Sequence, residues 1–132
     1  MGVKRFEDLY AWQRARDLEI EVFAFTATLP ASRDGKYCDQ IRESSRSATR
    51  NTAEGFGRYY PKEFSRFLRI AAASLHETMS HLHHALDRGY LTSADHLRLS
   101  RLAKRAIKAN LGLRKYLARC SPPDPFNDSR PD

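Results

Sequence analysis

The chain has 132 residues, of which 41% are apolar and 30% are charged, and its formal net charge is +7. This length fits one domain with a core of its own, and no apolar run approaches the roughly 20 residues of a membrane-spanning helix. The first residues lack the apolar core of a secretion signal. Cys38 and Cys120 lie far apart and outside any CxxC motif, so neither a disulfide framework nor a zinc site is predicted. We therefore expect a cytoplasmic protein with reduced thiols.

Three breaks divide the chain into four stretches. They are the segment from Leu29-Pro30 through Gly35, the segment Tyr59-Tyr60-Pro61, and the pair Arg88-Gly89. Proline and glycine of this kind end helices. Between the breaks, apolar or small residues recur at every third or fourth position, which is the period of an amphipathic helix. The core positions predicted in this way run from Trp12 to Leu29, from Tyr37 to Gly55, from Phe64 to Ala85 and from Leu99 to Tyr116.

Four amphipathic helices with short connections predict an all-α protein, folded as an antiparallel up-down four-helix bundle over residues 1–120. Thr92, with Asp95 three residues later, suits the beginning of the fourth helix. No alternating pattern of β-branched residues competes with the helical period. A short acidic tail rich in proline follows the fourth helix, over residues 121–132.

The fourth helix carries the whole net charge, because residues 92–120 hold eight basic residues against the single acidic Asp95. Such a segment, roughly 30 Å long at 1.5 Å per residue, is suited to contacts with several phosphates. A solvated helix face of a basic protein is the alternative interpretation. Sequence-specific readout of bases is not indicated, because no recognition-helix or aromatic nucleic-acid motif is present. The candidate nucleic-acid-binding residues are Arg98, Arg101, Lys104, Arg105, Lys108, Arg114, Lys115 and Arg119.

The second helix is unusual because its segment SSRSATRNTAEGFGR consists largely of small and polar residues. Gly55 within a helix costs about 1 kcal/mol relative to alanine, and small side chains of this kind let another helix approach closely. Asn51, Glu54 and Arg58 are spaced by three and four residues, so they share a helix face. We interpret these three as structural or interface residues, forming either an ion pair or a polar lock at an interface.

The histidines cluster at positions 76, 81, 83 and 84, and Glu77, His81 and His84 share one helix face. Di-iron bundles, however, use Glu-x-x-His pairs on two helices, and this chain has no such pair. Solvated or interface histidines are therefore favoured over a metal site. The usual catalytic motifs are also missing, so we expect a protein that is not an enzyme, with neither catalytic residues nor cofactors.

Several segments carry a resemblance to a known family. The segments FEDLYAWQRARDL, RSATRNTAEGFGR, KEFSRFLRIAAASLHET and GYL, in this order, resemble the four-helix-bundle family of the 23S ribosomal RNA intervening-sequence type. The resemblance spans residues 6–91, and its most specific part is the N-x-A-E-G-x-G-R motif from Asn51 to Arg58. One departure is Ala73, which stands before Ser74 where the family often has glycine.

The resemblance implies a fold and partners rather than a reaction. Similar proteins are up-down bundles that assemble as homopentameric rings, and the family has no established enzymatic activity. A related bundle is the accessory protein of diversity-generating retroelements, a basic pentamer that partners a reverse transcriptase and contacts nucleic acid. The sequence leaves open whether this chain resembles the ribosomal or the retroelement type. We expect a ring that binds nucleic acid, with a protein scaffold or accessory subunit of a reverse transcriptase as the alternative.

Overall fold

A computed structural model describes residues 2–120; the predicted acidic tail at 121–132 lies outside them. Within this range the protein is all-α and contains no strand, as predicted. Among residues 2–120, no helix is both long enough and apolar enough to cross a membrane. Two short 3-10 turns occur at Phe6–Asp8 and Ala31–Arg33, and the helices are α1 (Tyr10–Thr26), α2 (Gly35–Phe56), α3 (Pro61–Asp87) and α4 (Ser93–Ala118).

The helix ends follow from local residue chemistry. The Asp34 side chain accepts a hydrogen bond from the Tyr37 amide at 3.2 Å and so caps α2. Thr92 Oγ1 accepts one from the Asp95 amide at 3.1 Å and caps α4, as predicted. After α3 the chain turns at Gly89, whose φ of 73° is a left-handed conformation that glycine adopts without strain.

The four helices form a bundle in which α1 packs on α2, α2 on α3, α3 on α4, and α4 on α1. Contacts at opposite ends of α2 and α3 show that these helices are antiparallel. Tyr37 near the start of α2 donates a hydrogen bond to the His81 carbonyl near the end of α3, whereas Gly55 near the end of α2 lies against Phe64 near the start of α3.

The core positions predicted in α2 and α3 are all buried. Two polar contacts join these helices inside the bundle. Ser44 Oγ lies 2.8 Å from Thr78 Oγ1, and Ser47 Oγ lies 2.8 Å from Ser74 Oγ. Small side chains therefore bring α2 and α3 close together, and their hydroxyl groups satisfy one another.

The predictions for α1 and α4 need two corrections. Helix α1 ends at Thr26, so Leu29 lies in the following turn and is 62% exposed rather than part of the core. In α4, the buried side is rotated relative to the predicted one. Tyr116 is 37% exposed, whereas Ala103 and Asn110 are buried. The prediction followed apolar residues only. Because the core includes the polar Asn110, the predicted core side of α4 was rotated away from the side that is actually buried.

Candidate nucleic-acid interface

Seven basic side chains occupy the side of α4 that points away from the bundle. They are spaced by three, four or seven residues, so they fall within about a third of the helix circumference. Leu99, Ala103 and Ala106 occupy the opposite side and are fully buried. We call this set the basic face; its residues are Arg98, Arg101, Lys104, Arg105, Lys108, Lys115 and Arg119, all exposed.

Arg98 differs from the rest of the basic face because it is ion-paired. Its guanidinium contacts Glu21 of α1 and lies 3.5 Å from Asp95. These contacts connect α4 to α1 and compensate the charge of Arg98. We therefore interpret Arg98 mainly as a structural contact between two helices.

Arg114 lies away from the basic face. Position 114 is about a third of a turn from the centre of that face, and its Nε donates a hydrogen bond to Asn110 Oδ1 at 2.8 Å. Asn110 is only 2% exposed and donates its own bond to the Leu68 carbonyl of α3 at 2.9 Å. Arg114 was a candidate nucleic-acid-binding residue, but its contacts support the packing of α3 on α4 instead.

The other six residues of the basic face have no acidic partner within residues 2–120. They are Arg101, Lys104, Arg105, Lys108, Lys115 and Arg119. Elsewhere in the bundle arginines do pair, as Arg66 does with Glu63 at 2.8 Å and Arg50 with Glu43 at 3.2 Å. The positive charge of α4 is therefore uncompensated over most of its length, and it creates a positive potential along one side of the protein.

Helix α3 adds two cations that the sequence did not single out. Lys62 and Arg69 line a groove together with Leu117 at the end of α4. Glu63 also lines this groove, but it is paired with Arg66. The seven-residue spacing of Lys62 and Arg69 places them on one side of α3. This spacing could have been read from the sequence. Only the packing of the helices shows that the two cations lie next to the end of α4.

Asn51, Glu54 and Arg58 do not act as one unit. Glu54 and Arg58 form the predicted ion pair at 2.8 Å on the surface, and the Arg58 guanidinium lies 4.6 Å from the centre of the Phe67 ring. Asn51 instead donates to the Ser47 carbonyl and hydroxyl at 2.9 and 3.1 Å. The arrangement reinforces the α2–α3 packing, and none of these contacts activates a nucleophile.

The clustered histidines are distributed around the end of α3. His81 Nε2 lies 3.4 Å from Glu77 Oε2, while the His83 ring lies 5.1 Å from His96 of α4. Over residues 2–120, no three or more potential ligands come together in a way that could hold a metal ion.

Comparison with known proteins adds one finding. No curated protein matches the chain. A model of the 23S rRNA-intervening sequence protein family matches residues 7–111, which is most of the chain and includes α1, α2, α3 and the greater part of α4. The matched region contains the motif from Asn51 to Arg58 that carried the resemblance in the sequence. The chain therefore belongs to the 23S rRNA-intervening sequence protein family.

Proposed function

We propose that this protein binds the phosphodiester backbone of RNA or DNA, without enzymatic activity, through the basic face of α4. The single observation that carries the proposal is the row of six exposed cations without acidic partners in residues 2–120. Lys and Arg that neutralise phosphates release counterions, and this release drives association with nucleic acid of any sequence. The family description refers to an intervening sequence of 23S rRNA, which supports an RNA-related role.

The shape of the surface supports binding to the backbone rather than to bases. The basic face runs along one helix, and its cations are spread over about six turns. Tyr116, at its edge, is the one aromatic residue of α4, so the helix offers no row of rings on which successive bases could stack. Contacts to phosphates position a protein on nucleic acid but do not read its sequence. We therefore expect little sequence preference.

We also propose that copies of the protein associate into a ring, as the resemblance implies. Ile20 of α1 and Leu97 of α4 are each 50% exposed, and burial of such side chains between subunits would stabilise an oligomer. Repetition of the basic face around a ring would raise the affinity for a long polyanion through effective concentration. Sedimentation equilibrium tests this part, because a species of 15.2 kDa would contradict it and a mass five times larger would support it.

The binding itself is tested with two charge-reversal variants of equal net charge. Arg101→Glu/Lys108→Glu changes the basic face, and Arg33→Glu/Lys36→Glu changes two exposed cations at the beginning of α2 that have no acidic partner within residues 2–120. Fluorescence anisotropy with labelled duplex RNA and duplex DNA is recorded over a series of salt concentrations. We expect the first variant to bind much more weakly, with a slope of log K against log salt that is smaller by about 2.

The α2 variant separates a local effect from a change in overall charge. We expect it to retain most of the affinity, because α2 lies opposite α4 in the bundle. Equal losses in both variants would mean that only net charge matters, and an unchanged affinity in the α4 variant would refute the proposal. If the isolated protein binds no nucleic acid but copurifies with a reverse transcriptase, the accessory-subunit alternative replaces it.

A further inference from the structure

Gly112 lies in the middle of the C-terminal half of α4, on the same side as the basic face. Lys108 and Lys115 precede and follow it by four and three residues, so both are its direct neighbours on the helix surface. Arg105 and Arg119 lie seven residues away on either side, two turns along the same side. Four cations therefore lie before and after a position that has no side chain, and Ala109 and Tyr116 occupy its two other neighbouring positions on the helix.

The packing of the bundle gives no reason for glycine at this position. A β-carbon built on Gly112 would have no atom within 4 Å, apart from its chain neighbours and its own helix backbone. Glycine is the least favourable residue after proline in a helix interior, and φ at position 112 is not positive. Gly55, which lies inside α2, is different: a β-carbon built there would lie 2.8 Å from Phe64, so packing explains that glycine.

A glycine exposed on a helix lets another molecule approach the backbone closely. The surrounding charges indicate what that molecule is. Lys108, Lys115, Arg105 and Arg119 have no acidic partner within the described part of the chain, 2–120. A second copy of this helix packed here would bury these cations without partners, because α4 holds only one acidic residue, Asp95, and such burial is strongly unfavourable. A phosphate group is small and anionic, and it would accept hydrogen bonds from all sides.

We propose that Gly112 is the point of closest approach of the nucleic-acid backbone, with one phosphate held over the bare helix between Lys108 and Lys115. This inference rests on the proposed function and specifies where along α4 the backbone lies. Arg105 and Arg119 contact the flanking phosphates. The absence of a side chain lets the phosphate descend between the two lysines, so that both ammonium groups reach it from opposite sides.

The test adds bulk at Gly112 while leaving all charges in place. Gly112→Ala and Gly112→Leu are compared with the unmodified protein for binding to a short RNA duplex and to a DNA duplex of the same sequence. We expect Gly112→Ala to melt a few degrees higher, because alanine favours the helix, and yet to bind about tenfold more weakly, because the displaced phosphate loses charge-assisted hydrogen bonds. Gly112→Leu should bind more weakly still.

Ala94→Leu serves as the matched control. Ala94 is exposed and lies 18 residues from Gly112, which is five full helical turns, so it points to the same side beyond the end of the basic face. The Ala94→Leu protein should bind both duplexes with the affinity of the unmodified protein. If both Gly112 variants also bind normally while Arg101→Glu/Lys108→Glu does not, this inference is overturned and the proposed function stands.

Two further outcomes would also overturn the inference. If the Gly112 variants change the sedimenting mass but not the affinity, the glycine is a contact between copies of the protein. If the charge-reversal variant itself binds normally, the proposed function fails and the inference fails with it. A loss confined to one of the two duplexes would support the inference and identify that nucleic acid as the one held over Gly112.

Discussion

Gly55 of α2 lies directly against Phe64 of α3: a β-carbon built on Gly55 would be 2.8 Å from Phe64 Cδ1 and 3.1 Å from the Phe64 carbonyl oxygen. Phe67 Cβ would be 2.9 Å away. Backbone and Cβ atoms cannot move aside as the tip of a flexible side chain can. The distance between the ends of α2 and α3 is therefore set by the absence of a side chain at position 55.

We first predict that Gly55→Ala destabilises the protein. Overpacking costs about 1 to 3 kcal/mol and should exceed the roughly 1 kcal/mol by which alanine is favoured over glycine in a helix. Urea denaturation measures the free energy of unfolding. Gly112→Ala is the matched control and should be stabilising, because its new methyl group meets nothing within 4 Å. Equal effects of the two substitutions would show that the contact with Phe64 does not limit the packing.

The second prediction concerns the hydroxyl pair of Ser44 and Thr78, whose oxygens are 2.8 Å apart in the core. Thr78→Val leaves the Ser44 hydroxyl without this buried partner, and we expect a loss of about 1 to 2 kcal/mol. Ser44→Ala/Thr78→Val should cost less than the sum of the single changes, because it removes both polar groups together. A double-mutant cycle by urea denaturation measures this coupling. Strict additivity would contradict it.

The third prediction concerns Asn110, which joins α4 to the Leu68 carbonyl of α3 at 2.9 Å. Asn110→Ala removes this bond and creates a cavity, so we expect the free energy of unfolding to fall by about 2 to 3 kcal/mol. Asn110→Asp keeps the shape but directs a carboxylate oxygen at a carbonyl. The other carboxylate oxygen can still accept the bond from Arg114, so the variant isolates the loss of the bond to Leu68 and should unfold at a lower urea concentration than the unmodified protein. A variant as stable as the unmodified protein would argue against the assigned amide orientation.

The fourth prediction concerns pH and Asp34. Its pKa is lowered, chiefly because Tyr90 donates a hydrogen bond to the carboxylate at 2.5 Å and further because the Tyr37 amide donates another. Since the folded-state pKa lies below that of the unfolded chain, Asp34 stabilises the fold above the unfolded value, about 3.9. This contribution is lost as the pH falls through the folded-state pKa.

Thermal melts across the acid range check this expectation. Tyr90→Phe removes the main cause of the shift, so the melting temperature should be lower at neutral pH and should depend less on pH below about 4. His96→Gln changes a titratable group at the same end of the bundle and serves as the control. A Tyr90→Phe protein with the same acid dependence as the unmodified protein would contradict the role given to Asp34.

The fold was largely predictable because the buried positions of α2 and α3 repeat at helical spacing, and because Pro61 marks the beginning of α3 and Gly89 follows its end. The side of α4 that faces the core was less predictable. Asn110 is polar, and only its bond to Leu68 explains its burial, so no pattern in the sequence indicated it. Arg114 lies off the basic face by its position along the helix, as the helical period already indicates; the structure adds that it bonds to Asn110.

The six unpaired cations of the basic face contact no acidic group in residues 2–120, whereas stability comes from the buried side of the same helix. Surface substitutions away from specific contacts usually change stability by no more than about 0.5 kcal/mol. The outer surface of α4 is therefore free to vary in evolution without endangering the fold. Under the proposed function, exchange of exposed residues on this single helix would change the affinity for polyanions while leaving the buried side of the helix, and with it the fold, unchanged.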